Sequence, residues 1–206
     1  MSEDPFKSDL QKNADAVIYN HMAWSMGMGL IPVPIVDFFA VGAIQLDMVR
    51  QLCKLYEVDF KENDIKAIVS SLTGSGLARL GAQAVKFIPG VGSVWGGITM
   101  SVLSGATTYA IGQVFKKHFE KGGTVLDFDV ERLRKMYDDL FEKGKKEAVK
   151  MNNDKRQKKE KSPSAKDSSE NEATSKINRL KDLADLKEKG LITEEEFQTL
   201  KKSLLD

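Results

Sequence analysis

The sequence predicts an all-α protein: a Gly-rich apolar bundle of two helical hairpins plus an amphipathic helix, then a disordered charged linker, then a C-terminal helical hairpin. Three observations predict it. Apolar residues recur at three- and four-residue steps, and no stretch sustains the period-two alternation of a half-buried strand. Proline and glycine punctuate the apolar stretches at helix-length intervals. The composition then shifts, from apolar and small residues in the first two thirds to Lys, Glu, Asp and Ser in the last third.

The first helix opens at Ser8, which with Gln11 has the spacing of a capping box. Leu10, Ala14, Val17, His21, Trp24 and Met28 continue it at helical steps. It ends before Pro32-Val-Pro34, because a proline disfavours the helical conformation in the residue before it. A second helix spans about 35–56. Asp59 and Glu62 offer a cap for a third, which Thr73-Gly-Ser-Gly76 interrupts before helical spacing resumes through Leu77, Leu80 and Ala84. After Ile88-Pro-Gly-Val-Gly-Ser93 comes a long apolar helix that ends near Lys116-Lys117. The two Ile-Pro turns, each between helices, suggest a duplicated hairpin. An amphipathic helix over about 129–151 carries Leu133, Met136, Tyr137, Leu140 and Phe141 on one stripe.

Residues 152–175 contain no aromatic or branched aliphatic side chain. Such a segment buries too little apolar surface to offset the entropy of ordering it, so a disordered tether is expected. The pattern changes again at Ser175. Leu180, Leu183 and Leu186 form one face, Gly190 suits the left-handed residue that closes a helix, and Thr193 with Glu196 makes a second capping box. Ile192, Phe197 and Leu200 face back across the turn. The expected organisation is a helical domain over 1–151, with its core at about 8–123, a linker over 152–175 and a hairpin over 176–206.

Phe87 to Phe115 contains no Asp, Glu, Lys or Arg, a run longer than the roughly 20 residues that cross a bilayer core. Gly97, Ser101 and Gly105 fall at four-residue steps, so one helix face lets another backbone approach closely. Two readings compete. The run is either a membrane-inserted helix, part of a hairpin or pore, or the central helix of a soluble or surface-associated bundle. Its many Ser and Thr residues, with Pro89, Gly90 and Gly92 at its start, favour the bundle. Pro32, Pro34 and Pro89 join Gly97, Ser101 and Gly105 as the helix-packing positions.

Reaction chemistry is not visible. With 31 Lys and Arg against 30 Asp and Glu, the net charge of +1 points to no nucleic acid or acidic substrate. The basic run Lys143 to Lys161 lacks interleaved aromatics, which also argues against nucleic acid. His21 and His118 have no ligand-spaced companions, so no metal or other cofactor is expected. There is no phosphate-binding G-x4-G-K-[ST] and no G-x-S-x-G. Cys53 has no partner for an internal disulfide and reads as a buried core residue. Asp37, Asp47 and Arg50 share an otherwise apolar helix and form a candidate polar interface; Asp47 and Arg50 have the spacing of a same-face pair. The N-terminus lacks the charged-then-apolar pattern of a secretory signal, so a cytoplasmic protein at the inner membrane face is expected.

The residues of about 23–123, above all Ile31-Pro-Val-Pro-Ile-Val-Asp37 and Lys86-Phe-Ile-Pro-Gly-Val-Gly92, resemble the helical domain-of-unknown-function family numbered 697. That resemblance implies membrane association and a GTPase partner acting in trans, since this chain has no phosphate loop of its own. Residues of about 175–206, with Gly190-x-Ile192-Thr193-x-Glu195-Glu196-Phe197 at their centre, resemble the short C-terminal (SHOCT) domain. This implies association, here a homo-oligomer formed through Leu180, Leu183, Leu186, Ile192, Phe197 and Leu200. The function expected from the whole is a non-enzymatic, membrane-associated interaction module.

Overall fold

The structure is a computed structural model that describes the backbone over residues 5–28, 34–84, 93–160 and 168–205; side-chain detail excludes 5–6, 34–39, 75–84, 93–99 and most of 155–175. The described residues form helices α1 (Pro5–Met28), α2 (Pro34–Leu55), α3 (Glu62–Ala84), α4 (Ser93–Phe119), α5 (Val130–Glu160), α6 (Ser168–Glu188) and α7 (Glu194–Leu205), with no strand among them. The fold is all-α. Helix α4 lies at its centre, packed chiefly against α5 and α1 and also against α2. The C-terminal pair α6 and α7 rests on α2.

Helix termini follow the local chemistry. Pro5 opens α1, ahead of the expected Ser8, because proline's fixed φ suits a first helical position and its missing N–H costs nothing there. Asp129 Oδ1 accepts a bond from the Arg132 N–H at 3.1 Å and caps α5. Helices α4 and α6 close through left-handed glycines, Gly122 (φ 80°) and Gly190 (φ 68°). After α6 the Leu191 N–H reaches Leu186 O at 2.9 Å and the Gly190 N–H reaches Lys187 O at 2.8 Å, which satisfies two of the last carbonyls. The hairpin's expected capping box is present: Glu196 N–H donates to Thr193 Oγ1 at 3.2 Å, and Thr193 N–H donates to Glu196 Oε2 at 2.7 Å.

Three further boundaries differ from the sequence expectation. Helix α3 runs unbroken through Thr73-Gly-Ser-Gly76. A helical glycine costs only about 1 kcal/mol relative to alanine, and Thr73 stays in register by donating to Val69 O at 2.8 Å. Helix α5 continues beyond Met151 to Glu160, and α6 begins at Ser168, where a tether is expected over 152–175. The first of these stretches carries Lys155, Arg156, Gln157, Lys158, Lys159 and Glu160, straight-chain residues of good helix propensity that need no core to bury. Helix α3 also contacts α2 and α5 more than α4, so the second expected hairpin is not a closely packed pair among the described residues. The two Ile-Pro turns fall at 29–33 and 85–92, outside the described residues, and so do Pro32 and Pro89.

The core sits between α1, α2, α4 and α5, where Ile18, Met22, Ile44, Met48, Tyr109, Phe115 and Tyr137 are fully buried. Burying each such side chain is worth about 1.5–3 kcal/mol. Small residues set the helix spacing. A Cβ on Gly112 would lie 2.7 Å from Ile18 Cγ1, and one on Gly144 would lie 2.9 Å from the Ala106 carbonyl oxygen. These contacts bring α4 against α1 and α5 against α4 at backbone distance.

Candidate functional site: a buried carboxylate that joins three elements

Asp47 lies on the inward face of α2, with its side chain only 4% exposed. Its Oδ2 meets three nitrogens from three places. From α1 comes His21 Nε2 at 3.2 Å; from the next turn of α2 comes Gln51 Nε2 at 3.1 Å; from the turn after α6 comes Lys189 Nζ at 3.1 Å. Burial alone would raise the Asp47 carboxyl, but the bonds from His21 and Lys189 outweigh it and hold it at about 2. Asp47 is therefore an acceptor only. The other ring nitrogen of His21, Nδ1, faces Val17 O at 2.8 Å. Both nitrogens thus face oxygens, and each contact is a hydrogen bond only when that nitrogen carries a proton.

Lys189 completes the site from the hairpin. Burial lowers its ammonium, and Asp185 and Asp47 together more than reverse this, so its pKa is raised. Its Nζ stands 2.9 Å from Asp185 Oδ2 and 5.6 Å from the Trp24 ring centroid, a cation–π distance. Trp24 Nε1 is buried without a well-formed hydrogen bond, and the nearby Asp182 is pushed up by burial, partly offset by that indole N–H. The carbonyl of Lys189 accepts a bond from Arg50 Nη1 at 3.3 Å.

The expected same-face pair of Asp47 and Arg50 is replaced by this arrangement. Arg50 points toward the outside of α2, 3.8 Å from Glu62 Oε2 and over the Phe60 ring at 4.8 Å, while Asp47 points inward to His21. Asp37 falls in α2 and Gly97 in α4, and Pro34 opens α2; their side-chain surroundings lie outside the described residues. Ser101 is buried and donates to Met26 O at 2.8 Å; a Cβ on Gly105 would lie 2.6 Å from Met26 Cγ. Both positions therefore face α1. In the hairpin, Leu183, Leu186, Ile192 and Leu200 are buried within the single chain, and Leu180 and Phe197 are half-buried. Beside the site, a cavity of about 540 Å³ lies between α2, α3, α4 and the hairpin turn, lined by Leu46, Val69, Leu103, Leu191 and Ile192 among others.

Sequence reasoning missed Lys189 and the meeting of His21 with Asp47. The available signal was a single histidine on the apolar face of α1 and a single aspartate on that of α2, two helices separated by few residues in sequence. The other buried polar groups pin helices together. Gln45 Nε2 donates to Thr108 Oγ1 at 3.3 Å, and Ser25 Oγ to Ser104 O at 3.3 Å. Among the described residues no group of His, Cys, Asp and Glu is arranged to hold a metal, and no helix is long and apolar enough to cross a membrane.

The comparisons with known proteins bear on the same elements. Residues 2–146 match the family described as Domain of unknown function (DUF697), which takes in α1 to most of α5. Residues 178–205 match the Short C-terminal domain, the hairpin that carries Lys189. Magnetosome membrane protein 22 of Magnetospirillum gryphiswaldense is 38% identical over 143 residues, which cover 67% of this chain and 73% of that protein. No solved structure matches. The match spans the bundle that builds the carboxylate site, and the chain belongs to the domain-of-unknown-function family DUF697, with a Short C-terminal domain following it.

Proposed function

We propose that the protein is a non-enzymatic helical interaction module that associates with a membrane surface. The observation that carries this reading is the likeness to a protein named for a membrane, extending across most of that protein's length. Peripheral attachment is favoured over insertion. The polar groups of α4 (Ser101, Ser104, Thr108, Gln113 and Lys116) are buried against α1 and α2 rather than set out for lipid. The ring nitrogens of His21 are engaged by Val17 O and Asp47, which argues against its use as an acid or base on a substrate. The family resemblance adds a GTPase acting in trans as the protein partner, and the hairpin supplies a self-association element.

Flotation of the purified chain with phospholipid vesicles tests the reading. Co-flotation that alkaline carbonate reverses is the expected result, because a peripheral contact is released by it. Failure to float with either anionic or zwitterionic vesicles removes the membrane reading, and resistance to carbonate replaces it with insertion.

A further inference from the structure

Lys189 occupies a receptacle that it does not help to build. The floor is the Asp47 carboxylate, whose side chain is 4% exposed, and one wall is the Trp24 indole, 5.6 Å from Nζ. Both belong to the first two helices. A buried anion beside an aromatic face favours a cationic side chain, through a charge-assisted hydrogen bond and the ring quadrupole, and here it holds a lysine ammonium. The groups around Nζ are His21 from α1, Gln51 and Arg50 from α2, and Asp182 and Asp185 from α6. Only the two acids of α6 travel with the lysine. The receptacle itself therefore remains on α1 and α2 when the hairpin leaves.

The hairpin is built to leave as a unit. Its capping box, its left-handed Gly190 and the carbonyl bonds after α6 all lie within residues of the hairpin itself. Leu183, Leu186, Leu200 and Leu204 are buried there, and α6 and α7 touch each other more than either touches α2. The named polar ties to the rest of the chain are Lys189 Nζ on Asp47, the Lys189 carbonyl on Arg50 and the indole of Trp24 near Asp182. Two of the three meet at Lys189, in the turn after α6, and the third lies seven residues earlier on α6. Lys189 is also 35% exposed, so the lysine enters the receptacle from its solvent side.

We propose that the Trp24–Asp47 receptacle is a lysine-docking site that takes the C-terminal hairpin of a second copy as well as that of its own chain. This rests on the reading of the protein as an interaction module and names the surface through which copies would join. Exchange conserves each contact, because every chain carries one receptacle and one Lys189. The chain's own hairpin then acts as the competitor that keeps copies apart, and its release is what permits pairing.

The test uses two full-length variants in solution without lipid. Lys189→Ala leaves the receptacle intact but empties it; Asp47→Asn spoils the receptacle but leaves a free lysine-bearing hairpin. Sedimentation should show each variant alone as single chains and their mixture as a pair, because the Asp47→Asn hairpin enters the Lys189→Ala receptacle. Replacing the donor by the double variant should weaken pairing roughly 30-fold or more, the loss expected from truncating one partner of a buried charge pair. The Trp24 indole N–H resonance, assigned with Trp95→Phe, reports docking: it should move in Lys189→Ala and return when the donor is added. Trp24→Leu serves as the donor if Asp47→Asn does not fold. A mixture that stays single-chain with the Trp24 signal displaced overturns the proposal, as does a Trp24 signal that Lys189→Ala leaves unchanged. Loss of vesicle binding would sink the membrane reading and leave this result untouched.

Discussion

Among the described glycines, the one closest to another helix's backbone makes the sharpest stability prediction. A Cβ placed on Gly144 would lie 2.9 Å from Ala106 O, 3.0 Å from Ala106 Cα and 3.0 Å from Tyr109 Cδ1. The first two atoms are α4 backbone, which cannot turn aside as a side chain can, so α5 must move away from α4. Overpacking of this kind costs about 1–3 kcal/mol, against a helix-propensity gain of about 1 kcal/mol for replacing glycine by alanine. At Gly74, within α3, a Cβ meets nothing within 4 Å, so only the gain remains. Gly74→Ala should therefore stabilise the chain, whereas Gly144→Ala should be neutral to destabilising. Thermal unfolding followed by far-UV circular dichroism should separate their midpoints by on the order of 5 °C, given a few degrees per kcal/mol in a chain of this size. Gly105→Ala should fall between, because its nearest neighbour is the flexible Met26 side chain at 2.6 Å. If Gly144→Ala raises the midpoint as much as Gly74→Ala, the close approach of α4 and α5 is not what makes glycine necessary there. A loss of stability in Gly74→Ala would instead count against an unbroken α3.

Two further predictions concern titratable groups. Asp47, held at about 2 by His21 and Lys189, contributes stability that is fully present above the ordinary carboxylate value and is lost as the pH falls toward 2; the amount is on the order of 2 kcal/mol. Urea unfolding at pH 6 and pH 3 should show the wild type losing more stability than Asp47→Asn, and parallel losses would refute the assignment. Burial pushes the Cys53 thiol up to about 11. Iodoacetamide at pH 8 should therefore label the native chain far more slowly than the urea-unfolded chain, as read by mass spectrometry; equal rates would mean that the thiol is not packed inside the bundle.

Most of the fold is legible because helices are specified locally. The periodicities, caps and glycine stops that define α1, α2, α4 and the hairpin lie within a few residues of one another in sequence. Gly190, Thr193 and Glu196 are the clearest case, since each does in the structure what its chemistry dictates in the sequence. Reading a break at Thr73-Gly-Ser-Gly76 failed for a different reason. Glycine weakens a helix by an amount that neighbouring packing exceeds, and Ile65, Ile68, Val69 and Leu72 are all buried just before it. The site was less legible than the fold. Asp47 and Arg50 were both visible as candidates, but spacing along one helix says only which groups share a face. It does not reveal that Asp47 meets His21, 26 residues earlier, or Lys189, 142 residues later. Such meetings are tertiary, and the lysine in question sits among many others in the last third of the chain.

The polar residues buried along α4 show how a helix this apolar is given a single register. Apolar burial is non-directional, so it would tolerate α4 sliding along its neighbours by a turn. Hydrogen bonds would not, because each buried donor left unmade costs about 1–3 kcal/mol. Ser101 bonds to Met26 O at one end of the α1–α4 contact, and Ser104 O accepts from Ser25 beside it. At the other end, Gln113 and Lys116 both reach Asp15, at 2.9 and 2.7 Å. As the number rises on α4 it falls on α1, so the two helices run antiparallel with both ends pinned. Between the pins, Gly105 and Gly112 face Met26 and Ile18 and allow no bulk that would hold the helices apart. A slide of one turn would break all four polar contacts and drive side chains into the glycine positions. That joint is therefore fixed along its length, whereas the hairpin rests on α2 with its polar ties at Lys189 and Asp182. Of the two contacts, it is the hairpin's that physical reasoning marks as able to open while the bundle stays folded.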